Sequence, residues 1–390
     1  MIEPVLISGI GVVSAAGMNV AETLDAFAAG RRNVGKITQV STSLDYPVFE
    51  VRSPLHGAER SKSRTLQLLF PALDEALAGA GLGRDLSTLR VGVCMGTTVA
   101  SQLNDMEFYT TYRQSGEASM EPVETFLKSN LAEAVAREVH ATGPCVTVVN
   151  ACSSSADAIG AAMAWLQAGL CDIAIAGGAD ELNRIPICGF GSLSVFSREP
   201  CRPFDRDRQG LNLGEGAGAL ILESEKTARK RGVKSDLFVA GYGAACDAYH
   251  LTAPRPDGSG LESAVRISLD EAGIPSRDIC FVNAHGTATR DNDKVEGNVL
   301  ARVFGAEINV LSTKGYTGHT LGAAGALEAA FTALALRERW IPRSAGFENK
   351  DDEIPIVAVR ERTAVEGRYA ISMSLAFGGN NASLVIGRLA

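Results

Sequence analysis

The sequence lacks the patterns that disulfide frameworks, metal centres and membrane spans require. Its eight cysteines form no C-x-x-C pair and no cluster with histidine, which argues against a disulfide framework and against a metal site. No window reaches the ~20 apolar residues of a membrane-spanning helix, and residues 1–13 lack the basic start and apolar run of a secretory signal. We therefore expect a cytoplasmic protein that has no membrane span and uses no metal and no cofactor.

Positive charge and aromatic residues are also scarce. The chain has 37 lysines and arginines against 45 aspartates and glutamates, a net charge of −8, and aromatic residues make up 6% of it. This balance excludes a general attraction to nucleic acid, and an acidic protein partner would have to bind a local basic patch.

Strand-like apolar runs alternate with helical stretches along the 390 residues, without a linker or a low-complexity segment. Examples are the predicted strand at residues 146–149 and the predicted helices at residues 63–80, 155–168 and 321–337. This alternation is typical of an α/β fold in which helices cover layered sheets.

A faint internal repeat predicts two similar halves, residues 1–232 and residues 233–390. Each half contains a strand, a short polar turn and an Ala-rich helix, at residues 148–170 in the first half and at residues 311–337 in the second. Helices this rich in glycine lose intrinsic stability, which is tolerable where two backbones must approach closely. We therefore expect the two helices to face each other in the centre.

Cys152 lies at a predicted strand-to-helix turn among small polar residues. Unpaired backbone N–H groups and the positive end of the helix dipole stabilise a thiolate at such a position. Unreactive burial is the usual state of a free cysteine, and we expect it for most of the others. The setting predicts that Cys152 is a nucleophile.

Two of the five histidines, His285 and His319, lie in Gly/Thr-rich turns directly after strand-like runs. Open sheets place their sites at such strand ends. A histidine satisfied by packing is the commoner case in general, but these two share their turn type with Cys152. We therefore predict that both belong to the same site.

Lys314 precedes His319 and lies beside apolar strand residues, so it needs a carboxylate partner. Glu328 is the only acid between residues 309 and 337 and is the predicted partner; the alternative is an unpaired surface lysine and a surface glutamate. Near the C-terminus, Phe377 and Gly378 open a Gly-Gly turn that could offer N–H groups to an oxyanion. An ordinary hairpin turn fits the same spacing.

Taken together, these segments resemble the elongating type I and II β-ketoacyl-acyl-carrier-protein synthases, which have a thiolase fold. The resemblance covers essentially the whole chain. Its most specific motifs are the A-H-G-T-x-T turn at residues 284–289, the S-T-K and T-G-H segments at residues 312–319, and the R-P-F-D segment at residues 202–205. It implies a five-layered α-β-α-β-α sandwich and a decarboxylative Claisen condensation of an acyl group with malonyl-acyl-carrier protein.

The resemblance also implies a role for each candidate residue. Cys152 would hold the acyl group as a thioester, while His285 and His319 would donate hydrogen bonds to the malonyl thioester oxygen. Lys314 and Glu328 would support the histidines. The N–H groups of Cys152 and Phe377 would bind the oxyanion, with Gly378 in the same turn and the Phe377 ring as a gate to the acyl pocket.

Three departures from the family pattern leave the natural substrate open. Asn150 stands where threonine is usual, Ser154 and Ser155 follow the nucleophile, and Asn380 replaces the threonine of the usual G-G-T-N turn. The acyl chain could therefore be that of ordinary fatty acid synthesis or of a polyene or polyketide pathway.

The partner expected from the resemblance is an acyl carrier protein, loaded with an acyl or a malonyl group. Because both proteins would be acidic, docking would need local positive charge. A homodimer is expected through the strand at residues 146–149, with a heterodimer containing a chain-length partner as the alternative. The candidate docking residues are Arg60, Lys62, Arg64, Arg198, Arg202, Arg206 and Arg208.

Four other functions fit the sequence less well. A noncatalytic chain-length subunit would lack the nucleophile, and a coenzyme-A thiolase would need a second catalytic cysteine. A chain-initiating synthase would have asparagine in place of His319. A cysteine hydrolase would not need two histidines together with Lys314.

Overall fold

The computed structural model describes residues 4–99, 106–128 and 130–389, with no side-chain detail for residues 106 and 107. Strands and helices alternate through these ranges, as the sequence predicts. Within them, no helix combines the length and the apolar character needed to cross a bilayer.

The strand and the three helices given as examples above agree with the structure to within three residues. The strands are β1 Val5–Ser14, β2 Val91–Gly96, β3 Cys145–Val148, β4 Ile173–Asp180, β5 Gly216–Ser224, β6 Leu237–Cys246, β7 Ile279–Asn283, β8 Asn309–Leu311, β9 Trp340–Ile341, β10 Thr363–Ala364, β11 Tyr369–Leu375 and β12 Asn380–Arg388. The α-helices are α1 Val20–Ala29, α2 Arg64–Gly79, α3 Met106–Ser115, α4 Glu121–Lys128, α5 Leu131–Glu138, α6 Ser154–Gln167, α7 Arg184–Ser192, α8 Glu225–Arg231, α9 Ser259–Ala272, α10 Arg290–Phe304, α11 Lys314–Thr317 and α12 Ala324–Glu338.

Ten strands form a continuous mixed sheet in the order β3-β2-β4-β5-β1-β6-β12-β11-β7-β8. Its first five strands come from the first half of the chain and its last five from the second. Within the sheet, the two halves pair directly only where β1 meets β6, through two residue pairs, Val5 with Val239 and Leu6 with Phe238. The predicted boundary between residues 232 and 233 falls just before β6 and stays a prediction.

The helices sort into outer and central layers. On the first half of the sheet, α2 packs against β1 and β5, while α9 packs against β6 and β12 on the second half. Between the two halves lie α6 and α12, which contact strands of both halves and each other. Helix α12 is buried on every side from Ala324 to Leu336, as a central helix must be. The layer order is the predicted α-β-α-β-α.

Glycine allows the two central helices to touch. A Cβ atom on Gly325 would lie 2.6 Å from the backbone nitrogen of Ala156, closer than real contacts allow. Beside this contact, the Ala326 N–H donates a hydrogen bond of 2.8 Å to Ser155 Oγ. The expectation that the two Gly/Ala-rich helices face each other is confirmed.

Candidate active site

The turn between β3 and α6 presents Cys152. Ala151 has φ +47°, in the left-handed region that alanine rarely adopts. The side chains of Thr98 and Ser154 hold this conformation by donating to the Ala151 carbonyl at 3.0 and 2.6 Å. The turn directs the Cys152 side chain inward, where it is only 4% exposed.

His319 comes from the second half of the chain and is fixed by its backbone. Its N–H donates to the Asn212 carbonyl at 2.8 Å, and its carbonyl accepts from the Gly214 N–H at 3.0 Å. His285 follows β7, and the carboxylate of Glu296 accepts its N–H at 2.7 Å and that of Gly286 at 2.8 Å.

The three predicted side chains converge in one buried space. His319 Nε2 lies 3.0 Å from Cys152 Sγ. The rings of His285 and His319 are 5.3 Å apart between centroids and nearly perpendicular, at 89°. A small acyl or malonyl group at the sulfur would therefore meet both imidazoles.

Lys314 and Glu328 form a buried ion pair next to the histidines. Lys314 is 1% exposed, and its Nζ lies 3.1 Å from His285 Nδ1. An ammonium group only donates hydrogen bonds, so Nδ1 of His285 must be the acceptor. His285 therefore carries its proton on Nε2. The predicted pairing of Lys314 with Glu328 is present in the structure.

Both imidazoles are neutral at physiological pH. Burial, helped by the positive charge of Lys314, holds the pKa of His285 and of His319 well below the ordinary value. His319 Nδ1 is buried and has no hydrogen-bond partner within the described residues. A bare lone pair is tolerated better there than an unpaired N–H, which favours a proton on Nε2 of His319 as well.

The expectation of a resting thiolate is wrong for this closed pocket. Burial raises the pKa of the Cys152 thiol to about 12, although Lys314 and the Phe377 N–H act in the opposite direction. Cys152 also lies two residues before the first residue of α6, and the desolvation of a charged sulfur outweighs the field of the helix. The resting nucleophile is a thiol.

Phe377 and Gly378 lie in the hairpin turn between β11 and β12, so the two interpretations of this turn are compatible. The backbone N–H of Phe377 acts to lower the pKa of the Cys152 thiol. The Phe377 ring stacks on Phe190, with centroids 5.2 Å apart. Gly378 needs correction as an oxyanion donor, because its N–H already donates to the Leu251 carbonyl at 2.8 Å.

A cavity of about 370 Å³ leads to the three side chains. Its wall includes the apolar side chains of Phe190, Leu193 and Val195. Polar groups lie on the wall near His285, among them Thr287 and Thr289. The cavity can therefore hold an apolar chain together with a polar linker.

Two acids of the site were missed by the sequence analysis. Glu296 supports the His285 turn, and burial raises its pKa to about 8. Asp180 accepts hydrogen bonds from the backbone N–H groups of Thr98, Val99 and Gly322, and burial raises its pKa to about 6. A possible signal for Glu296 is its spacing from Asp293, which places two acids on one face of α10 directly after the histidine turn.

The basic residues proposed for docking separate into two groups, and three of them need correction. Arg60 pairs with Asp74 and Glu138, and Arg64 pairs with Glu215 at 2.5 Å. Arg208 is buried in an ion pair with Asp351. These three arginines hold the fold together and are not free to bind a partner.

The remaining basic candidates are more accessible. Arg198 is exposed. Lys62 and Arg206 are also exposed, although Lys62 forms an ion pair with Glu121 and Arg206 forms one with Asp207. Arg202 is partly exposed and pairs with Glu348. Arg290, which the sequence analysis did not select, is exposed and lines the cavity.

Comparison with known proteins identifies the family. The family described as "Beta-ketoacyl synthase, N-terminal domain" matches residues 2–228, and "Beta-ketoacyl synthase, C-terminal domain" matches residues 238–348. The chain belongs to the beta-ketoacyl synthase family.

Named relatives of this beta-ketoacyl synthase span its whole length. It is 32% identical to the 3-oxoacyl-[acyl-carrier-protein] synthase 2 of Staphylococcus aureus (strain COL), over 98% of this chain and 97% of that protein. The ishigamide ketosynthase/chain length factor structure matches with a TM-score of 0.91 and 31% identity, with full coverage of both chains. A type II polyketide ketosynthase, solved in complex with its acyl-carrier protein and bound to the hexaketide, matches with a TM-score of 0.91 and 26% identity, again with full coverage.

These matches confirm three expectations from the sequence. The resemblance was to the correct family, the α/β thiolase fold is present, and the enzyme class is that of a 3-oxoacyl-[acyl-carrier-protein] synthase. The roles of single residues are taken up below.

Proposed function

We propose that this beta-ketoacyl synthase lengthens a Cys152-bound acyl group by decarboxylative Claisen condensation with malonyl-acyl-carrier protein. One observation supports this above all. The nucleophilic sulfur and two neutral imidazoles, which donate hydrogen bonds without supplying a proton, meet in one buried space.

The first step is acyl transfer. Cys152 Sγ attacks the thioester carbonyl of the acyl carrier, and the N–H groups of Cys152 and Phe377 bind the oxyanion. Each such donor contributes about 3 kcal/mol to transition-state stabilisation. The bond to the carrier sulfur then breaks, and the proton of the Cys152 thiol ends on that departing sulfur. The step therefore needs no net acid or base.

The second step is decarboxylation. The thioester oxygen of the malonyl carrier accepts hydrogen bonds from Nε2 of His285 and of His319. As CO2 leaves, the electron pair of the broken C–C bond becomes an enolate whose negative oxygen the two donors stabilise. Lys314 keeps the histidines neutral and fixes the tautomer of His285, while Glu328 balances its charge.

Condensation completes the cycle. The enolate carbon attacks the Cys152 thioester, a C–C bond forms, and the C–S bond breaks with its electron pair on Sγ. A proton from solvent then restores the thiol. Phe377 acts as a gate, because its ring must leave Phe190 and the sulfur for an acyl chain to pass.

The proposed partners follow from the relatives. The 3-oxoacyl synthase of S. aureus is named for acyl-carrier protein, and the polyketide ketosynthase was solved with one. We propose that the carrier docks near the cavity mouth on Arg290, helped by Arg198, Arg202 and Arg206, whereas Lys62 lines a separate surface hollow with Arg60 and Arg137. A homodimer through β3 is the proposed assembly, with a chain-length partner as the alternative. The cytoplasmic location stays a prediction.

The proposal is tested by following Cys152 and CO2 separately. Intact-protein mass spectrometry should detect one acyl adduct, transferred from carriers of graded chain length, and the Cys152→Ala variant should not be labelled. Addition of malonyl carrier should release CO2 and give a product two carbons longer.

The histidine variants test the division of roles. His285→Ala and His319→Ala should lose about 100-fold or more in CO2 release while Cys152 still loads, because each removes a donor to the enolate. Equal losses of loading and CO2 release would contradict these roles. A wild-type protein that neither loads nor condenses any carrier-bound chain would overturn the proposed function itself. The preferred chain length would distinguish fatty acyl from polyene or polyketide substrates.

A further inference from the structure

A polar cluster centred on Asp157, in the first turn of α6, connects the nucleophile turn to the Phe377 turn. The Asp157 carboxylate accepts hydrogen bonds from Asn150 Nδ2 at 2.6 Å, Ser153 Oγ at 2.9 Å and Asn380 Nδ2 at 3.1 Å. Asn380 Nδ2 also donates to Ser153 Oγ at 2.7 Å. One carboxylate therefore binds the residue that follows Cys152 and a residue three positions after Phe377.

A fourth donor ties the cluster to the second half of the sheet. Tyr242 of β6 donates its hydroxyl to the other oxygen of Asp157 at 2.8 Å. The Tyr242 ring lies flat against α6 at Gly160, where a Cβ atom would come within 2.4 Å of the ring. Asp157 thus has partners on the β3–α6 turn, on β6 and on the β11–β12 hairpin.

The cluster depends on asparagine amides as donors. Asn150 Nδ2 donates to Asp157, and Asn380 Nδ2 donates to both Ser153 Oγ and Asp157. A threonine has no second donor and a shorter side chain, so it could not make the same pair of contacts from position 380.

The two segments that Asp157 connects each supply a donor to the reacting carbonyl. The Cys152 N–H precedes Ser153, and the Phe377 N–H belongs to the turn that Asn380 closes through its hydrogen bond with the Ala376 N–H. The turn from Phe377 to Asn380 contains Gly378 and Gly379, with φ of +89° and +85°, and their N–H groups donate to the carbonyls of Leu251 and Ala376. The Asn380 side chain adds a direct connection from this turn to the nucleophile turn, through Ser153 and Asp157.

We propose that Asp157 is a positioning residue for acyl transfer, which fixes the spacing between the Cys152 and Phe377 oxyanion donors through Ser153 and Asn380. The inference rests on the proposed function, because it assumes that these two N–H groups bind the oxyanion. It assigns Asp157 no part in decarboxylation, which uses the two histidine side chains.

The Asp157→Ala variant separates this role from a general effect on the fold. Loading of Cys152 should slow by about 10- to 100-fold, because a misplaced donor loses most of its effect on the transition state. Release of CO2 from malonyl carrier without an acyl primer should stay within about twofold of wild type. Asp270→Asn, on the exposed face of α9, is the matched control and should change neither rate.

The conservative variant provides a second test. In Asp157→Asn, the amide oxygen can face the three donors of Asn150, Ser153 and Asn380, while the amide nitrogen faces the Tyr242 hydroxyl. Loading should therefore return to within about threefold of wild type. Asn380→Ala should slow loading like Asp157→Ala, and the double variant should be no slower than either single variant, because both break one connection.

The outcomes are distinguishable. Loading at the wild-type rate in Asp157→Ala, or equal losses of loading and of primer-free decarboxylation, would overturn the positioning role. Additive losses in the double variant would overturn it too. If Asp157→Ala does not fold, Asn380→Ala gives the same comparison, because it removes the connection from the Phe377 turn to Ser153 and Asp157. A wild-type enzyme that does not load Cys152 would instead contradict the proposed function.

Discussion

The charge of Lys314 acts on both imidazoles from one buried position. Its ammonium lies 3.1 Å from His285, pairs with Glu328, and lowers the pKa of both histidines in addition to the effect of burial. A neutral imidazole donates to an enolate oxygen without quenching it by full proton transfer. At the scale of single residues, the ion pair therefore serves to keep two donors uncharged.

The double variant Lys314→Met/Glu328→Gln tests this effect. It removes both charges together, because a single substitution would leave an unpaired buried charge that costs about 3–5 kcal/mol. Loss of the lysine charge should raise the pKa of both histidines toward, but not past, the ordinary value, since burial remains. In the wild type, the NMR signals of His285 and His319 should stay constant from pH 8 to pH 6. As the pH is lowered, the same signals of the variant should begin to shift at a higher pH than those of the wild type.

Three further variants complete the NMR experiment. His285→Asn and His319→Asn assign the signals, and Lys36→Met on the surface is the matched control for the loss of a lysine. Identical titrations of wild type and double variant would mean that Lys314 does not influence the imidazoles.

The identity of the candidate site residues could be predicted from sequence more reliably than their protonation states and their hydrogen-bond or ion-pair partners. Cys152 and His319 could be selected because each lies in a small, polar turn between a strand and a helix. Three predictions were wrong for a common reason: a thiolate at Cys152, a free N–H at Gly378 and a free charge at Arg64. Each property is decided by residues distant in sequence, such as Leu251 with its carbonyl, and a local sequence pattern does not contain them.

The contact between α6 and α12 controls the geometry at the scale of elements. Gly325 lets the two backbones touch, and the two helices begin close to Cys152 and to His319. Any residue that separates the helices should also lengthen the distance between the sulfur and the imidazole.

Gly325→Ala is the smallest change that tests this contact. The added methyl group would meet the Ala156 backbone, and overpacking of this kind costs about 1–3 kcal/mol of unfolding free energy. Condensation should fall as well, because His319 moves with α12. Gly79→Ala, on the exposed end of α2, is the control and should be neutral or stabilising by up to about 1 kcal/mol. Unfolding in urea measures both.

The strands of the ten-stranded sheet and the helices α2, α6, α9 and α12 were predicted from sequence, whereas the other helices, α10 among them, were not. The glycine content of two Ala-rich helices indicated a close contact, and their positions after the Cys152 and His319 turns indicated the centre of the fold. Helix α10 was missed because its first turn is crowded with acids, although Asp293 and Glu296 are buried and bind backbone N–H groups. Polar residues that face inward do not produce an apolar periodicity.

At the scale of the whole molecule, β3 leaves one end of the ten-stranded sheet uncovered in the single chain. Val149, at the end of this strand, is 67% exposed and Val146 is 45% exposed. Apolar side chains beside unpaired strand edges favour pairing with another chain. This edge is therefore the surface on which we propose that a second copy binds.

Val149→Lys should weaken that association. Each lysine would remove apolar surface from the interface and add a charge that loses its water when the second copy binds. Sedimentation velocity should detect a larger monomer fraction than in the wild type. Val357→Lys, at an exposed valine outside β3, is the matched control and should leave the assembly unchanged. An unaltered dimer in Val149→Lys would exclude β3 as the interface.

The junction between β1 and β6 is only two residue pairs long, yet the sulfur lies on one side of it and the imidazoles on the other. A sliding of the two halves by about 1 Å would leave every strand paired within its own half and still take the nucleophile out of reach. The catalytic rate is consequently more sensitive to the relative position of the two halves than any spectroscopic measurement of helix or strand content. Heating or mild denaturant should therefore abolish condensation activity at a point where the circular dichroism spectrum is still that of the native protein.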